Sequence, residues 1–387
     1  MARVLFHTDA IRWPLTGIGR YVQALGTALT VEDGPPGVVC EPRAPEAPSR
    51  PERGRMPYAL RRRLRDLPGA YAWAHDRSRR RFARLAAESR FALYHEPNFI
   101  LRPFDGPCVV TCHDLAHVRF PEQQPRGRRA WLDRHLRRSL DRAARIIVPT
   151  RFVHDEVVEV FGVPSSKIRI VPEGVAPAFR PLPPEIVDDA LAGHGLRAGG
   201  YLLSLGTVEP RKNLGTLVAA FAGLPEDLRR RYPLVLAGAL GWQTRALASL
   251  VAPLLREGTV RLPGYMPESA LPALYAGARA VAYPSVYEGF GLPVLEALAS
   301  GAPTLIAETP SVMEVAANAA VATPGQDVPT MRDRLATLLT DDTLRADLAA
   351  RGPHRAAGLT WRRAAAETRA VYAEVLGTTA NRREGAA

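Results

Sequence analysis

The chain has 387 residues, 47% of them hydrophobic and 23% charged, a composition ordinary for a globular protein and long enough for two or three domains. Its 51 basic residues outnumber the 39 acidic ones, and the resulting formal net charge of +12 would attract polyanions such as nucleic acid, anionic lipid or phosphorylated substrates. Three cysteines are too few for a disulfide framework, and no uncharged apolar stretch approaches the roughly 18 residues of a membrane-spanning helix.

The first predicted elements surround a glycine-rich turn. Residues 4–11 predict a strand, and an amphipathic helix is expected from about Tyr21 to Leu29. The sequence TGIGRY at residues 16–21 stands between them, an order typical of a loop that binds phosphate or another ligand. The third glycine of a dinucleotide-binding fingerprint would fall at Val22, which argues against a nicotinamide cofactor. A plain strand-to-helix turn is the alternative.

The next segment is rich in arginine and proline. Residues 34–57 contain little that could be buried, so we expect a loop there. Residues 58–90 are dense in arginine but also carry Tyr71, Trp73 and several leucines, a pattern typical of helices with one basic and one apolar face. Such helices could lie on an anionic membrane, as could the basic segment at residues 126–145. Solvated helices that cover the N-terminal sheet are the alternative.

Two apolar runs then lead to a histidine. Residues 91–95 and 108–112 predict buried strands, and His113 with Asp114 follows the second strand at its carboxyl end. Open α/β sheets bind ligands at that end of their strands. A lone histidine is usually structural, but a histidine–aspartate pair in this position is a better candidate for a functional site.

A proline-rich segment from Pro172 to Pro184 predicts the boundary between two domains. Strands and helices alternate on both sides of it, which predicts a doubly wound parallel sheet in each half. An amphipathic helix from about Thr360 to Leu376 ends this pattern.

The strongest local pattern is the turn at residues 289–292, Gly-Phe-Gly-Leu. A short apolar strand precedes it, and Pro293 and Gly301 are suited to begin and end the following helix. The backbone N–H groups of the turn would therefore point at an anion. Glu288 and Glu296 flank that position, and acids beside a phosphate suit a phosphorylated sugar, whose hydroxyls need acceptors. A helix N-terminus with ordinary nearby acids is the alternative.

A second charged loop, GTVEPRKN at residues 206–213, also stands between a strand and a helix. Arg211 offers a planar fork and Lys212 a point charge, so the pair could hold a diphosphate and neutralise its charge as it leaves. A solvated Arg-Lys pair is the alternative.

Together these motifs resemble glycosyltransferase family 4, the retaining nucleotide-sugar glycosyltransferases with the GT-B fold. The resemblance rests on the Glu-x7-Glu spacing around Gly-Phe-Gly, on TGIGRY, on EPRKN and on residues 148–175, and it covers nearly the whole chain except about residues 34–90. Thr207 stands where many members carry arginine, and Glu173 stands where asparagine is common. TGIGRY, EPRKN and the region around Glu314 are similar to mannosyl-transferring members.

The resemblance implies a role for each candidate residue. His113 and Glu288 would be the catalytic residues. The others would serve the donor diphosphate (Arg211, Lys212, Phe290, Gly291, Leu292), the donor ribose (Glu296), the nucleobase (Tyr265) and the N-terminal glycine loop (Gly17, Gly19, Arg20). The sequence contains no Asp-x-Asp motif, Walker loop or ligand cluster with metal spacing, so we expect neither a metal nor a cofactor beside the nucleotide-sugar co-substrate.

The resemblance also implies an α/β protein of GT-B fold, with two doubly wound Rossmann-like domains facing a cleft. Residues 1–175 would form the acceptor-side domain and residues 185–360 the nucleotide-sugar donor domain. Residues 361–377 would form a C-terminal helix that crosses back to the N-terminal domain.

The expected activity is retaining transfer of a hexose, with mannose as the first candidate, to a glycan, lipid-linked or small-molecule acceptor. A GT-B type nucleotide-sugar epimerase and a non-catalytic polyanion-binding protein are the alternatives. We expect a cytoplasmic protein, with a peripheral position on the inner face of the membrane as a further option. An anionic membrane surface is then an additional partner, and no specific nucleic acid is expected.

Overall fold

A computed structural model of the protein describes residues 2–13, 15–31, 36–42, 70–88, 91–238 and 245–384. These residues form two compact units. The first contains the described residues up to Glu173 and those from Trp361 onwards, and the second is Gly174–Thr360. Each unit has helices around its own parallel sheet, so the predicted α/β class with two Rossmann-like units is confirmed.

The first unit contains a six-stranded sheet in its described part, and all of its strand pairings are parallel. The spatial order is β2-β1-β3-β4-β5-β6. In chain order the strands are β1 (Arg3–His7), β2 (Gly37–Glu41), β3 (Leu93–Glu96), β4 (Cys108–Thr111), β5 (Arg145–Val148) and β6 (Ile168–Ile170). The two central strands β3 and β4 are buried along their whole length, as expected for a parallel sheet covered on both faces.

The helices of the first unit follow the strands along the chain. They are α1 (Gly17–Val31), α2 (Ala70–Glu88), α3 (Ala116–Arg119), α4 (Arg126–Arg142) and α5 (Arg151–Phe161), with α15 (Trp361–Glu384) added from the end of the chain. α5 shows how local sequence fixes the bounds: the Thr150 hydroxyl accepts the Val153 N–H at its start, and Gly162 ends it with φ 61°.

The C-terminal helix α15 belongs to the first unit, as predicted for a helix that crosses back. Its apolar residues Ala365, Tyr372 and Val375 pack into the same core as Val22 and Leu25 of α1. The helix runs to Glu384, past the predicted end at residue 377.

The second unit repeats the architecture with the strand order β12-β11-β10-β7-β8-β9, and the strand pairings in the part of it that the structure describes are all parallel. Its strands are β7 (Leu202–Leu205), β8 (Leu234–Ala237), β9 (Val260–Gly264), β10 (Ala280–Tyr283), β11 (Thr304–Ala307) and β12 (Val321–Thr323). Its helices are α6 (Pro184–Leu191), α7 (Leu214–Ala222), α8 (Glu226–Arg231), α9 (Arg245–Arg256), α10 (Leu271–Ala276), α11 (Leu292–Ala299), α12 (Pro310–Ala316), α13 (Val328–Thr340) and α14 (Asp342–Ala356).

Two local predictions were wrong. The loop expected from residue 34 to residue 57 contains the edge strand β2, because Val38 and Cys40 pack on one face against α1 and β1. The helix expected from Tyr21 begins at Gly17, because the Thr16 carbonyl and hydroxyl accept the N–H groups of Arg20 and Gly19 and so close its first turn. The remainder of the predicted loop, residues 43–57, lies outside the described residues, as do residues 58–69.

Within the described residues we find no helix with the length and apolar character needed to span a bilayer.

Candidate active site

The carboxyl edge of the second sheet brings two predicted loops together. β10 lies between β7 and β11, and the loops that leave these strands emerge at the same edge because the strands are parallel. The loop after β7 contains a single 3₁₀ turn, Pro210–Lys212, which carries Arg211 and Lys212. The loop after β10 carries Glu288 and leads into α11.

Glu288 is the centre of the resulting cluster. Its Oε1 accepts hydrogen bonds from Lys212 Nζ (2.5 Å), Ser285 Oγ (2.5 Å) and Tyr283 OH (2.9 Å). Its Oε2 accepts one from Arg211 Nη1 at 2.6 Å. Two of these four donors, Arg211 and Lys212, are cations. The Glu288 side chain is 8% exposed, so the carboxylate that they bond to is shielded from water.

Glu288 therefore stays ionised at neutral pH. Burial alone would raise the pKa of its carboxyl, but the charges of Arg211 and Lys212, together with the hydrogen bonds, lower that pKa from 4.5 to about 2. Burial and the charge of Glu288 raise the pKa of Tyr283 well above its ordinary value, so this phenol acts as a neutral donor.

Hydrogen bonds hold the two loops against each other. The carbonyl oxygen of Arg211 accepts the Val286 N–H at 2.9 Å, and Ser285 Oγ, whose proton goes to Glu288, lies 3.1 Å from the same oxygen. In return, Arg211 Nη1 donates to the Tyr287 carbonyl at 3.1 Å, and Arg211 Nε lies 2.7 Å from Glu209 Oε1. Because these contacts fix the backbone on both sides, the charged groups are pre-organised before any ligand arrives.

The loop after β11 supports the Glu288 segment from the other side. Thr309 donates its hydroxyl proton to the Ser285 carbonyl, and Ser311 donates to the Glu288 carbonyl, both at 2.5 Å. Thr309 and Ser311 are buried, and their polar groups are used to hold the backbone of the site loop.

The predicted anion turn precedes α11 as expected. Gly291 adopts φ 99°, a conformation that favours glycine, and the helix begins at Leu292, one residue before the predicted start. Phe290 and Leu292 are buried, so the turn is packed rather than free in solvent. Glu296 is buried at 3% exposure, one helical step after Leu292.

Lys212 also lines a cavity at the carboxyl end of β7, together with Gly206, Thr207 and Pro284. Two of its three ammonium N–H groups donate to Tyr283 and Glu288. Tyr265 lies elsewhere, after the edge strand β9, and its hydroxyl donates to Glu268 at 3.2 Å. Its side chain is exposed, and its predicted role at the nucleobase stays a prediction.

In the first unit, the structure places His113 beside the glycine motif. The Tyr21 ring, at the end of TGIGRY, meets the His113 ring edge-on with centroids 4.6 Å apart. Phe99 contacts the His113 ring from another direction, and Trp361 of α15 backs Tyr21. His113 and the end of the glycine segment, two separate predictions, thus lie next to each other.

The two glycines of that segment have different surroundings. A Cβ built on Gly19 would lie 3.3 Å from both the Ala10 carbonyl oxygen and a Leu15 methyl group, so a larger side chain would be crowded. A Cβ on Gly17 would meet nothing within 4 Å. Gly19 therefore allows close packing at the start of α1, and Arg20 follows it on the first turn of the helix.

Sequence reasoning missed several groups that complete these sites. They are the carboxylate's additional donors (Tyr283, Ser285), the loop supports (Glu209, Thr309, Ser311) and the partners of His113 (Pro97, Phe99, Glu173). Ser285 and Glu288 are three residues apart after a strand, a signal that could have suggested their contact. Among the described residues, no group of three or more histidine, cysteine or acidic side chains is arranged to hold a metal ion.

Comparisons with known protein families match both halves of the chain. Residues 15–179 match the family described as Glycosyltransferase Family 4, and residues 197–355 match Glycosyl transferases group 1. Both matched segments contain the predicted motifs, with His113 in the first and Arg211, Lys212 and Glu288 in the second.

Full-length relatives agree with these matches. The chain is 34% identical over 381 residues to the O-antigen chain mannosyltransferase B of Escherichia coli, an alignment that covers 96% of this chain and 99% of that protein. A similar solved structure is sucrose-phosphate synthase from Thermosynechococcus elongatus, with a TM-score of 0.74, 21% identity and coverage of 98% and 100%. The Anabaena HepE structure in complex with UDP and glucose has a TM-score of 0.68 at 14% identity, with coverage of 97% and 100%.

Proposed function

The chain belongs to glycosyltransferase family 4, and from that premise we propose that it transfers mannose from a nucleotide-diphosphate sugar to a glycan acceptor, with retention of the anomeric configuration. The glycosyltransferase class follows from the family. The donor sugar, the stereochemistry and the acceptor are the proposed parts.

The cluster of Arg211 and Lys212 on the buried Glu288 carboxylate is the observation that carries the proposal. When a nucleotide diphosphate leaves a sugar, negative charge grows on the diphosphate oxygens. Two cations fixed in a buried site stabilise that charge without reorganising as it forms. Glu288 holds both cations in place. Its Oε2 accepts a hydrogen bond from Arg211 and has capacity for a second one from a sugar hydroxyl.

The start of α11 supplies the other part of the donor site in this proposal. Phe290, Gly291 and Leu292 would present backbone N–H groups to the diphosphate, and Glu296 would accept the ribose hydroxyls. His113, in the first unit, would be the second catalytic residue. No carboxylate is assigned as a covalent nucleophile, so departure of the diphosphate with attack of the acceptor from the same face fits retention.

Mannose is favoured by the relative named as a mannosyltransferase, which aligns along nearly the whole chain. GDP-mannose is therefore the proposed donor. We propose no resident cofactor and no metal requirement, because Arg211 and Lys212 supply the positive charge that a metal would otherwise provide.

A panel of nucleotide sugars tests the donor assignment. A donor present at about 100 times its Kd stabilises the protein by about 2.7 kcal/mol, which should raise the Tm by about 5 °C or more. We expect GDP-mannose to give the largest shift, and Glu296→Ala to reduce it. A larger shift with a UDP sugar would contradict the mannose assignment, and no shift with any nucleotide sugar would contradict the donor site.

The two alternatives make different predictions. An epimerase would consume the donor without an acceptor, whereas a transferase releases nucleotide in proportion to the acceptor that is glycosylated. A polyanion-binding protein would bind DNA in a salt-dependent manner and would leave nucleotide sugars intact. The comparisons do not favour either alternative.

For the acceptor, we propose a lipid-linked glycan approached at an anionic membrane surface. α4 carries the exposed Arg134 and Arg138, and their charges with that of Arg79 from α2 act together on His135. Partial burial and these three like charges lower the pKa of His135. A gathering of basic groups on one face suits an anionic surface, where each group adds about 1 kcal/mol. The protein would then be cytoplasmic and peripheral on the inner face of the membrane.

Co-sedimentation with anionic liposomes tests this surface. Reversal of Arg134 and Arg138 to glutamate should weaken salt-sensitive binding by about tenfold or more. The matched control reverses Arg230 and Arg256, two exposed arginines of the second unit. If the control variant loses as much liposome binding, the effect is due to net charge and not to this surface. If the unchanged protein does not bind liposomes at all, a soluble acceptor such as a natural-product aglycone is favoured.

A further inference from the structure

The His113 ring is held by two polar contacts of different kinds. Its Nε2 lies 2.8 Å from the Pro97 carbonyl oxygen, and its Nδ1 lies 3.4 Å from Glu173 Oε1. The His113 and Glu173 side chains are 9% and 7% exposed, so water has little access to either. Both contacts lie within the first unit.

These contacts restrict where the ring protons can be. A carbonyl oxygen only accepts hydrogen bonds, so Nε2 must carry a proton that it donates to Pro97. In the neutral ring Nδ1 would then have a bare lone pair, which would face the carboxylate of Glu173. Two acceptors facing each other in a buried site repel, whereas a proton on Nδ1 turns the same contact into an ion pair.

We propose that Glu173 is a positioning residue that keeps the His113 ring doubly protonated, so that this site carries a fixed positive charge. The catalytic role of this charge rests on the transferase function proposed above. A positive charge on a catalytic residue would assist departure of the diphosphate, on which negative charge grows. Glu173 would act through His113 and would not touch the substrate.

The other titratable groups around the ring do not compete for this role. Asp114, next to His113 on the same segment, accepts the Ala116 N–H at 3.1 Å and caps the short helix α3. Tyr21 on α1 is neutral, because burial and the charge of Glu173 raise its pKa far above neutral pH. His95 on β3 is also neutral, because burial and the charge of His113 lower its pKa to about 3.

Aromatic contacts give the ring one orientation. Tyr21 and Phe99 both meet it edge-on, at centroid distances of 4.6 Å and 5.7 Å. These neighbours restrict the plane of the ring, and the hydrogen bond of Nε2 to the Pro97 carbonyl sets which edge of the ring faces Glu173. Nδ1 remains the nitrogen that faces Glu173, where many family members carry asparagine, which has no charge.

Nitrogen NMR of the histidine-labelled full-length protein tests the charge directly. The signals of His113 are identified by their loss in His113→Ala, and no substrate is needed. We expect both ring nitrogens at pH 7 to show the shifts of protonated nitrogen, and Nδ1 to become unprotonated in Glu173→Gln and Glu173→Asn. An unprotonated Nδ1 in the unchanged protein would overturn the proposal, and so would two protonated nitrogens in Glu173→Gln.

Kinetics supply a second readout. Glu173→Gln should lower kcat by about tenfold or more at unchanged donor Kd, because the charge of the His113 ring is lost in the transition state. Glu173→Asp, which keeps the charge, should recover part of that loss. The control is Glu159→Gln, a 67% exposed acid of the same unit that pairs with Arg119. If no donor is turned over by the unchanged protein, the proposed function fails while the NMR result still decides the charge of His113.

Discussion

The replacement Glu288→Gln tests the cluster because it keeps the shape of the side chain and removes its charge. The pKa of Glu288 falls from 4.5 to about 2 on folding, so the ionised form stabilises the folded state. A depressed folded-state pKa gives stability that is complete above the unfolded value and is lost as the pH falls through the folded value. The free energy of unfolding of the wild type should therefore exceed that of Glu288→Gln by about 3 kcal/mol at pH 7. At pH 3 the difference should be only about 1 kcal/mol.

Urea unfolding of the full-length protein measures this difference. Because the two units can unfold separately, the second unit is followed by hydrogen exchange of residues 280–299, which include β10 and α11. Glu226→Gln is the matched control in the same unit, since Glu226 is exposed and pairs with Arg230 on the surface. The control should leave the urea midpoint unchanged. Equal midpoints for wild type and Glu288→Gln at pH 7, or a difference that is as large at pH 3, would refute the reasoning.

Three further substitutions test the remaining site residues. Glu296→Ala should weaken binding of the donor nucleotide by roughly 1–3 kcal/mol, measured by calorimetry, and an unchanged Kd together with unchanged turnover would remove its assignment to the ribose. His113→Ala should bind the same nucleotide normally and transfer sugar poorly, so a normal transfer rate would return His113 to a structural role. Gly291→Ala should lower the Tm, because φ 99° strains any residue with a Cβ. Gly17→Ala should leave the Tm unchanged, because a Cβ on Gly17 would meet nothing within 4 Å. Equal Tm values for the two variants would contradict this contrast.

Much of the fold could be predicted from the sequence because its determinants are local. The continuous apolar runs of β4 and β10 identify buried parallel strands, and Gly301 does end the α11 region with φ 70°. The loops that follow the strands could be placed at one edge of a sheet for the same reason. This is why Arg211 and Glu288 could be assigned to one site although 77 residues separate them.

The rest depends on contacts that no local pattern records. Strand β2 is a short edge strand supported on one side, so its composition resembles a loop. Ser311 supports Glu288 through a backbone carbonyl, which any serine could do in a suitable position. Glu173 could be identified as a departure from the family pattern, but its partner His113 lies 60 residues away on another strand end, and only the structure brings them together.

The most direct test of the central claim is transfer of labelled mannose from GDP-mannose to a lipid-linked glycan, with nucleotide release measured in the same reaction. The account predicts equal amounts of released GDP and glycosylated acceptor. It also predicts that Arg211→Ala with Lys212→Ala remains folded and loses most turnover, with a smaller loss of donor binding, because the charge that both residues stabilise grows in the transition state. Donor consumption without a glycosylated acceptor, or full transfer activity in the folded double variant, would contradict it.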